Sequence, residues 1–218
     1  HCDPEKVRSA YLGVSTDFAP MANPAELESV RRKYDLPGRF LLFVGRIFPN
    51  KNFANLLRGF AGSAARHTHH LLVVGGVRWK YESDLRLATE LGLGSRLKFL
   101  DFIPKTDLIG MYGLADCFVY PSFYESFGLA QLEAMACGCP VVAANTGALP
   151  EVAGDAAIYC DPHDPATIGA AIDRLVGDPV LRAAQIRKGL ERAGQFSWER
   201  CAAATRDVLE EVFTGAAR

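Results

Sequence analysis

A doubly wound α/β fold, with a mainly parallel sheet and extra C-terminal helices, follows from three observations. Short β-branched and aromatic runs alternate with helix-length periodic segments. Several of the short runs are apolar throughout instead of alternating, as strands covered on both faces should be. Asx-Pro and Ser-Trp pairs mark helix starts near both ends of the chain. No repeat, linker or low-complexity segment interrupts the 218 residues, so a single domain over 1–218 is the economical expectation.

The elements follow in order. Asn23 caps a helix with Pro24 at its first position, where the missing N–H costs nothing. Strands are expected at Phe40–Val44, Leu71–Val74, Leu97–Leu100, Cys117–Tyr120, Pro140–Ala143 and Ala156–Tyr159. Between them, apolar residues at helical spacing predict helices over Asn52–Arg66, Glu82–Leu91, Asp107–Leu114 and Gly128–Ala136. Right-handed crossovers then join the strands into one sheet. Asp164 with Pro165 repeats the cap-and-proline start, and Ser197 opens an amphipathic stretch to Phe213. The apolar residues of that stretch, among them Val208, Leu209, Val212 and Phe213, pack either on this domain or on something outside this chain.

Composition narrows the function. A net charge of −1 gives no basic field to attract nucleic acid or anionic lipid. A membrane span needs roughly 20 apolar residues. The longest candidate, Leu132–Ala144, is broken by Glu133 and by Gly138-Cys139-Pro140, so no transmembrane segment is expected. The chain starts at His1 without a signal-peptide pattern, which suggests a piece of a longer protein. Its six cysteines lie in apolar helix and strand patterns, as buried thiols in a reducing cytoplasm would. Cys137-Gly-Cys139 has the wrong spacing for a zinc knuckle. His67-Thr-His69-His70 resembles a metal tract, but a solvated loop is the expectation there.

The chemistry should lie at the strand exits, because ligands of open α/β sheets bind beyond the carboxyl ends of the strands. Phe40–Val44 exits into Gly45-Arg46, with Lys51 just before the next helix. Gly45 permits close backbone approach, Arg46 offers a planar fork for phosphate oxygens, and Lys51 adds a mobile point charge. Neither a phosphate-binding Gly-Lys-Ser/Thr ending nor Gly-x-Gly-x-x-Gly occurs. Trp79 and Lys80 follow Gly75-Gly76, touching a ligand or anchoring the loop. Leu97–Leu100 exits into Asp101-Phe102-Ile103, where Phe102 flanks a flat base or simply packs. Cys117–Tyr120 exits into Pro121-Ser122 and then Glu125-Ser-Phe-Gly-Leu-Ala-Gln-Leu-Glu133. There two carboxylates flank a helix start at Gly128. Free N–H groups suit a phosphate, and ionised carboxylates suit hydroxyls. Anion donors and hydroxyl acceptors in one place suit a nucleotide sugar.

These stretches resemble the C-terminal, donor-binding domain of a GT-B glycosyltransferase of family 4, the retaining glycosyl transferases group 1. The resemblance rests on Gly45-Arg46 with Lys51, Pro121-Ser122 with Glu125, and Glu133-Ala-Met-Ala-Cys-Gly-Cys-Pro-Val-Val. It also rests on Leu149-Pro-Glu-Val-Ala-Gly-Asp, Asp161-Pro and Phe196-Ser-Trp198. The family's glutamate pair, eight positions apart, falls on Glu125 and Glu133. The resemblance implies that Arg46 and Lys51 hold the donor diphosphate and that Glu125 contacts the sugar near its 3-hydroxyl. The N–H groups of Phe127, Gly128 and Leu129 would face sugar and phosphates, and Glu133 would accept from the ribose. The Ile103 backbone is a candidate for the base. Ser126 stands where the family usually has Gly and Ala130 where it often has Pro, so donor preference is open there.

The implied activity is hexosyl transfer with retention from a nucleoside-diphosphate sugar, GDP-mannose or UDP-glucose favoured. A saccharide or lipid-linked acceptor would sit on an N-terminal domain absent from this chain. No Asp-x-Asp occurs, so no metal or other cofactor is expected. The implied location is cytoplasmic, with peripheral association at the inner membrane for a full-length protein. A non-catalytic nucleotide-binding or scaffold module and a sugar-phosphate epimerase of related fold stay open as alternatives.

Overall fold

The computed structural model describes residues 6–75 and 82–214. Its six strands are β1 (Phe40–Val44), β2 (His70–Val74), β3 (Leu97–Leu100), β4 (Cys117–Tyr120), β5 (Val141–Ala144) and β6 (Ala157–Cys160). They form one sheet in the order β3-β2-β1-β4-β5-β6, with every pairing parallel. The order reverses between β1 and β4. This topological switch point is where open α/β sheets leave a crevice for ligands.

The helices are α1 (Pro24–Lys33), α2 (Phe53–Gly62), α3 (Glu82–Glu90), α4 (Lys105–Leu114) and α5 (Leu129–Ala136). They continue with α6 (Leu149–Ala153), α7 (Pro165–Gly177), α8 (Pro179–Ala193) and α9 (Trp198–Phe213). Alternate strand residues feed two cores. Phe40, Leu42, Leu72, Phe118 and Val141 lie in one, with Val30 of α1, Met111 of α4 and Leu132 of α5. Leu41, Phe43, Leu71, Val119 and Val142 lie in the other, with Leu56 of α2, Ala88 of α3 and Ile172 of α7. A sheet buried on both faces explains the unbroken apolar runs.

The structure shifts some expected boundaries. β5 starts at Val141, because Pro140 has no N–H to donate, although its carbonyl still accepts from Phe118 at 2.9 Å. Ala156 belongs to a short 3-10 turn, so β6 starts one residue later. The helix expected over Asn52–Arg66 ends at Gly62, where extended Ser63 separates it from a 3-10 turn over Ala64–His67. The sequence reading missed α6 and α8. The second has the same signal as α7: Asp178 precedes Pro179, and its carboxylate accepts from the N–H groups of Val180 and Leu181.

Candidate functional site

The exits of β1 and β2 meet backbone to backbone. Gly45 has φ +139° and Gly75 has φ +131°. A Cβ on Gly75 would lie 2.7 Å from the carbonyl carbon and oxygen of Gly45. Only glycine tolerates both conditions. Beyond Gly45 the side chain of Arg46 is exposed and meets no partner among the described residues. A 3-10 turn over Pro49–Lys51 then leads to Asn52 in the left-handed region, φ 58°.

Asn52 does not cap α2 with its side chain, although the helix start was expected there. The buried amide donates instead to the carbonyls of Pro121, at 2.9 Å, and Pro162, at 2.7 Å. One side chain therefore ties the exits of β1, β4 and β6 together. The Phe123 N–H adds a bond to the Asn50 carbonyl at 2.8 Å.

This bracing brings Lys51 to Glu125, 74 residues away in sequence. The Lys51 Nζ lies 2.6 Å from Glu125 Oε1 and donates to the Tyr120 hydroxyl at 3.0 Å. It also sits 4.9 Å from the centre of the Tyr120 ring. The side chains of Lys51 and Glu125 are only 19% and 14% exposed, so the contact is half withdrawn from water. Burial first, and then the Glu125 carboxylate, push the Tyr120 hydroxyl well above its ordinary pKa. The loop after β5 supports Glu125 from behind. The Ala148 N–H donates to the Glu125 carbonyl at 3.2 Å, and a Cβ on Gly147 would lie 2.8 Å from that oxygen.

Past Glu125, Ser126 is exposed and Phe127 half-buried. The Phe127 ring lies 6.2 Å from Tyr11 and 5.9 Å, edge-on, from Phe196. Gly128 begins α5 in the left-handed region, φ 90° and ψ 50°, with Leu149 where a Cβ would go. The N–H groups of Phe127, Gly128 and Leu129 find no acceptor among the described residues. The helix thus presents its positive end beside the Lys51–Glu125 contact. Glu133, one turn further along α5, is half-buried. Burial raises its carboxyl above the ordinary value, opposed by the Tyr112 hydroxyl.

Gly45, Arg46, Lys51, Glu125, Ser126, Phe127, Gly128, Leu129 and Glu133 all lie on the two loops and the helix at the switch point. Ile103 follows β3, two strands from β1, and its side chain is buried in the core. Neither Ile103 nor the 89% exposed Phe102 bonds to the other candidates among the described residues. Trp79 and Lys80 lie outside the described residues. Tyr120, Asn52 and Gly147 were not singled out from the sequence. An Asn directly after a short turn, able to adopt a left-handed backbone, was the available signal for Asn52.

The histidine tract is not a solvated loop throughout. His69 is 1% exposed, with Nδ1 2.8 Å from Thr68 Oγ1 and Nε2 3.4 Å from Asp116. Cys117, Cys137, Cys139 and Cys160 are free and buried. Burial pushes the thiols of Cys137 and Cys160 up to about 12. Among the described residues no helix is long and apolar enough to cross a membrane.

Known proteins share this sequence pattern and this fold. The sequence profile of the family "Glycosyl transferases group 1" matches residues 28–192. O-antigen chain mannosyltransferase B of Escherichia coli is 37% identical over 204 residues, covering 92% of this chain and 53% of that protein. Sucrose-phosphate synthase from Thermosynechococcus elongatus superposes with a TM-score of 0.83 at 29% identity, over 95% of this chain and 53% of that one. The Anabaena protein HepE, solved in complex with UDP and glucose, gives a TM-score of 0.80 at 22% identity, over 95% and 57% of the two chains. The chain spans about half the length of the relatives it matches.

Proposed function

The chain belongs to the glycosyl transferases group 1 family, and on that premise we propose that it is the donor-binding half of a two-domain hexosyltransferase. It takes a nucleoside-diphosphate sugar, GDP-mannose or UDP-glucose first, and the sugar moves with retention to a saccharide or lipid-linked acceptor. Another part of the full-length protein binds that acceptor. The mannosyltransferase relative supports mannose as the transferred sugar, and the Anabaena protein, a chain of the same fold, was solved holding UDP and glucose.

The observation that carries the reading is the Lys51–Glu125 contact of 2.6 Å at the switch point, beside the unpaired amides of Phe127–Leu129. Breaking a glycosyl–phosphate bond releases negative charge on a diphosphate. Arg46 and those amides are open donors for it, Lys51 adds its ammonium once a phosphate replaces Glu125, and losing one such donor typically costs on the order of 100-fold in rate. Glu125 and Glu133 accept hydroxyl hydrogens of the sugar and the ribose. The Ile103 backbone contacts the base. Ser126 puts a side chain beside the sugar and bears on donor choice. These residues supply the charge for leaving-group departure, so the proposed mechanism requires no metal or other cofactor.

Isothermal titration of the chain with UDP, GDP and ADP and with their sugars tests the reading. Binding of at least one member is expected, and charge reversal at Arg46 and Lys51 together should abolish it. No binding to any member at millimolar protein would overturn the proposal.

A further inference from the structure

We propose that Lys51 is a shared cation, held by Glu125 and Tyr120, and that an incoming diphosphate takes it from Glu125 while Tyr120 keeps it in place. The inference rests on the donor-binding reading and adds Tyr120 as a positioning residue for that site.

An ammonium has three donors and no acceptor. One of Lys51's is spent on Glu125 at 2.6 Å and one on Tyr120 at 3.0 Å. The carboxylate neutralises the charge that a diphosphate needs. The ammonium in turn occupies Oε1, an acceptor that a sugar hydroxyl needs. The pair as it stands blocks both assigned roles, and a single exchange resolves both. When phosphate oxygens replace Glu125 on Lys51, Oε1 becomes available to the sugar. Recognition of the charge then licenses recognition of the sugar.

Tyr120 suits the role of fixed support. It is the last residue of β4, 3% exposed, so the sheet sets its hydroxyl and ring. Burial and Glu125 keep the phenol protonated, so it accepts from Lys51 as a neutral group and adds no competing anion. The lysine stem passes close to Gly45, with Lys51 Cε 3.8 Å from where a Cβ would stand, an ordinary packing distance.

A double-mutant cycle separates this exchange from simple charge repulsion. The bare nucleoside diphosphate that the wild-type chain binds is titrated into Glu125→Gln, Lys51→Met and the double variant, then into Tyr120→Phe with and without Lys51→Met. Glu125→Gln should tighten binding about threefold to tenfold, and should change nothing in the Lys51→Met background. Tyr120→Phe should weaken it about threefold, again only while Lys51 is present. Glu125→Ala carries the same reading should Glu125→Gln not fold. Equal tightening in both backgrounds, or no tightening in either, overturns the exchange. A Tyr120→Phe effect that persists without Lys51 reduces Tyr120 to a structural residue and overturns its assignment. If the wild-type chain binds no nucleoside diphosphate, the donor-binding reading falls, and this inference with it. Binding with an additive cycle sinks only the exchange.

Discussion

The two ends of β4 carry buried charge in opposite ways. At the entry end, Asp116 is 13% exposed and has three basic neighbours. Arg182 Nη1 lies at 2.9 Å, His69 Nε2 at 3.4 Å and Arg39 Nε at 3.6 Å. Burial alone would raise its carboxyl, but His69, Arg182 and Arg39 outweigh it and hold it below the ordinary value. At the exit end, Glu125 has one lysine, while Arg46 and three helix-start amides lack partners among the described residues. The entry cluster pairs its carboxylate within the fold, although Arg182 Nε and His69 Nε2 are buried there without a hydrogen-bond partner among the described residues. The exit cluster leaves donors that no acceptor among the described residues takes up. Buried charges are expected to be paired, as Asp116 and Lys51 both are; the donors left over at the exit end are the ones the proposed diphosphate would use.

Substitutions should separate the two ends, the largest effect coming from the backbone under the site. Gly75→Ala forces a Cβ to 2.7 Å from the Gly45 backbone at φ +131°. The loss should be about 3 kcal/mol from strain and overpacking together. Denaturant unfolding measures it, and a loss below 1 kcal/mol would mean that the two exits are not pressed together as described.

Next comes the entry cluster. Asp116→Asn should cost about 2 kcal/mol at neutral pH, below the range for fully buried pairs because Arg39 and Arg182 reach solvent. The sign follows from the depressed carboxyl. Its stabilisation is present above the ordinary carboxylate range and is lost as pH falls through the native value. The wild-type and Asp116→Asn stability curves should therefore converge in acid, while nucleotide affinity stays unchanged. A large drop in affinity would break the division between the two ends.

Glu133 gives the smallest effect and the opposite sign. Its carboxyl is raised, so the native state favours the protonated form, and the cost of ionisation appears as pH rises through the native value. Glu133→Gln should raise Tm at pH 7 by about 1–3 °C, from under 1 kcal/mol, and the gain should vanish in acid. Scanning calorimetry across that range decides it. Nucleotide affinity should fall in the same variant, because ribose hydroxyls lose a charged acceptor.

Much of the fold was legible because it rests on local chemistry. Apolar runs such as Phe40–Val44 and Cys117–Tyr120 are too short for helices and rich in aromatic and β-branched residues, which marks them as strands buried on both faces. Asn23-Pro24 and Asp164-Pro165 mark helix starts by hydrogen bonds that reach two residues, and each acceptor bonds as expected. α8 escaped notice although Asp178-Pro179 carries the same mark. The break of α2 at Ser63 was hidden because Ala64 and Ala65 continue an apolar helical pattern. Their N–H groups bond instead to Asp173, a carboxylate about 110 residues on.

The sequence alone determined which residue types stand at each strand exit, because an exit loop is contiguous with its strand. It could not say which exits are neighbours. That depends on the strand order, in which β1 lies beside β4 and not beside β3. The Lys51–Glu125–Tyr120 contact, the Asn52 brace and the burial of His69 against Asp116 all follow from that order. Each joins residues some 45–110 positions apart, beyond the reach of periodicity, caps or turns, and only packing of the whole sheet brings them together.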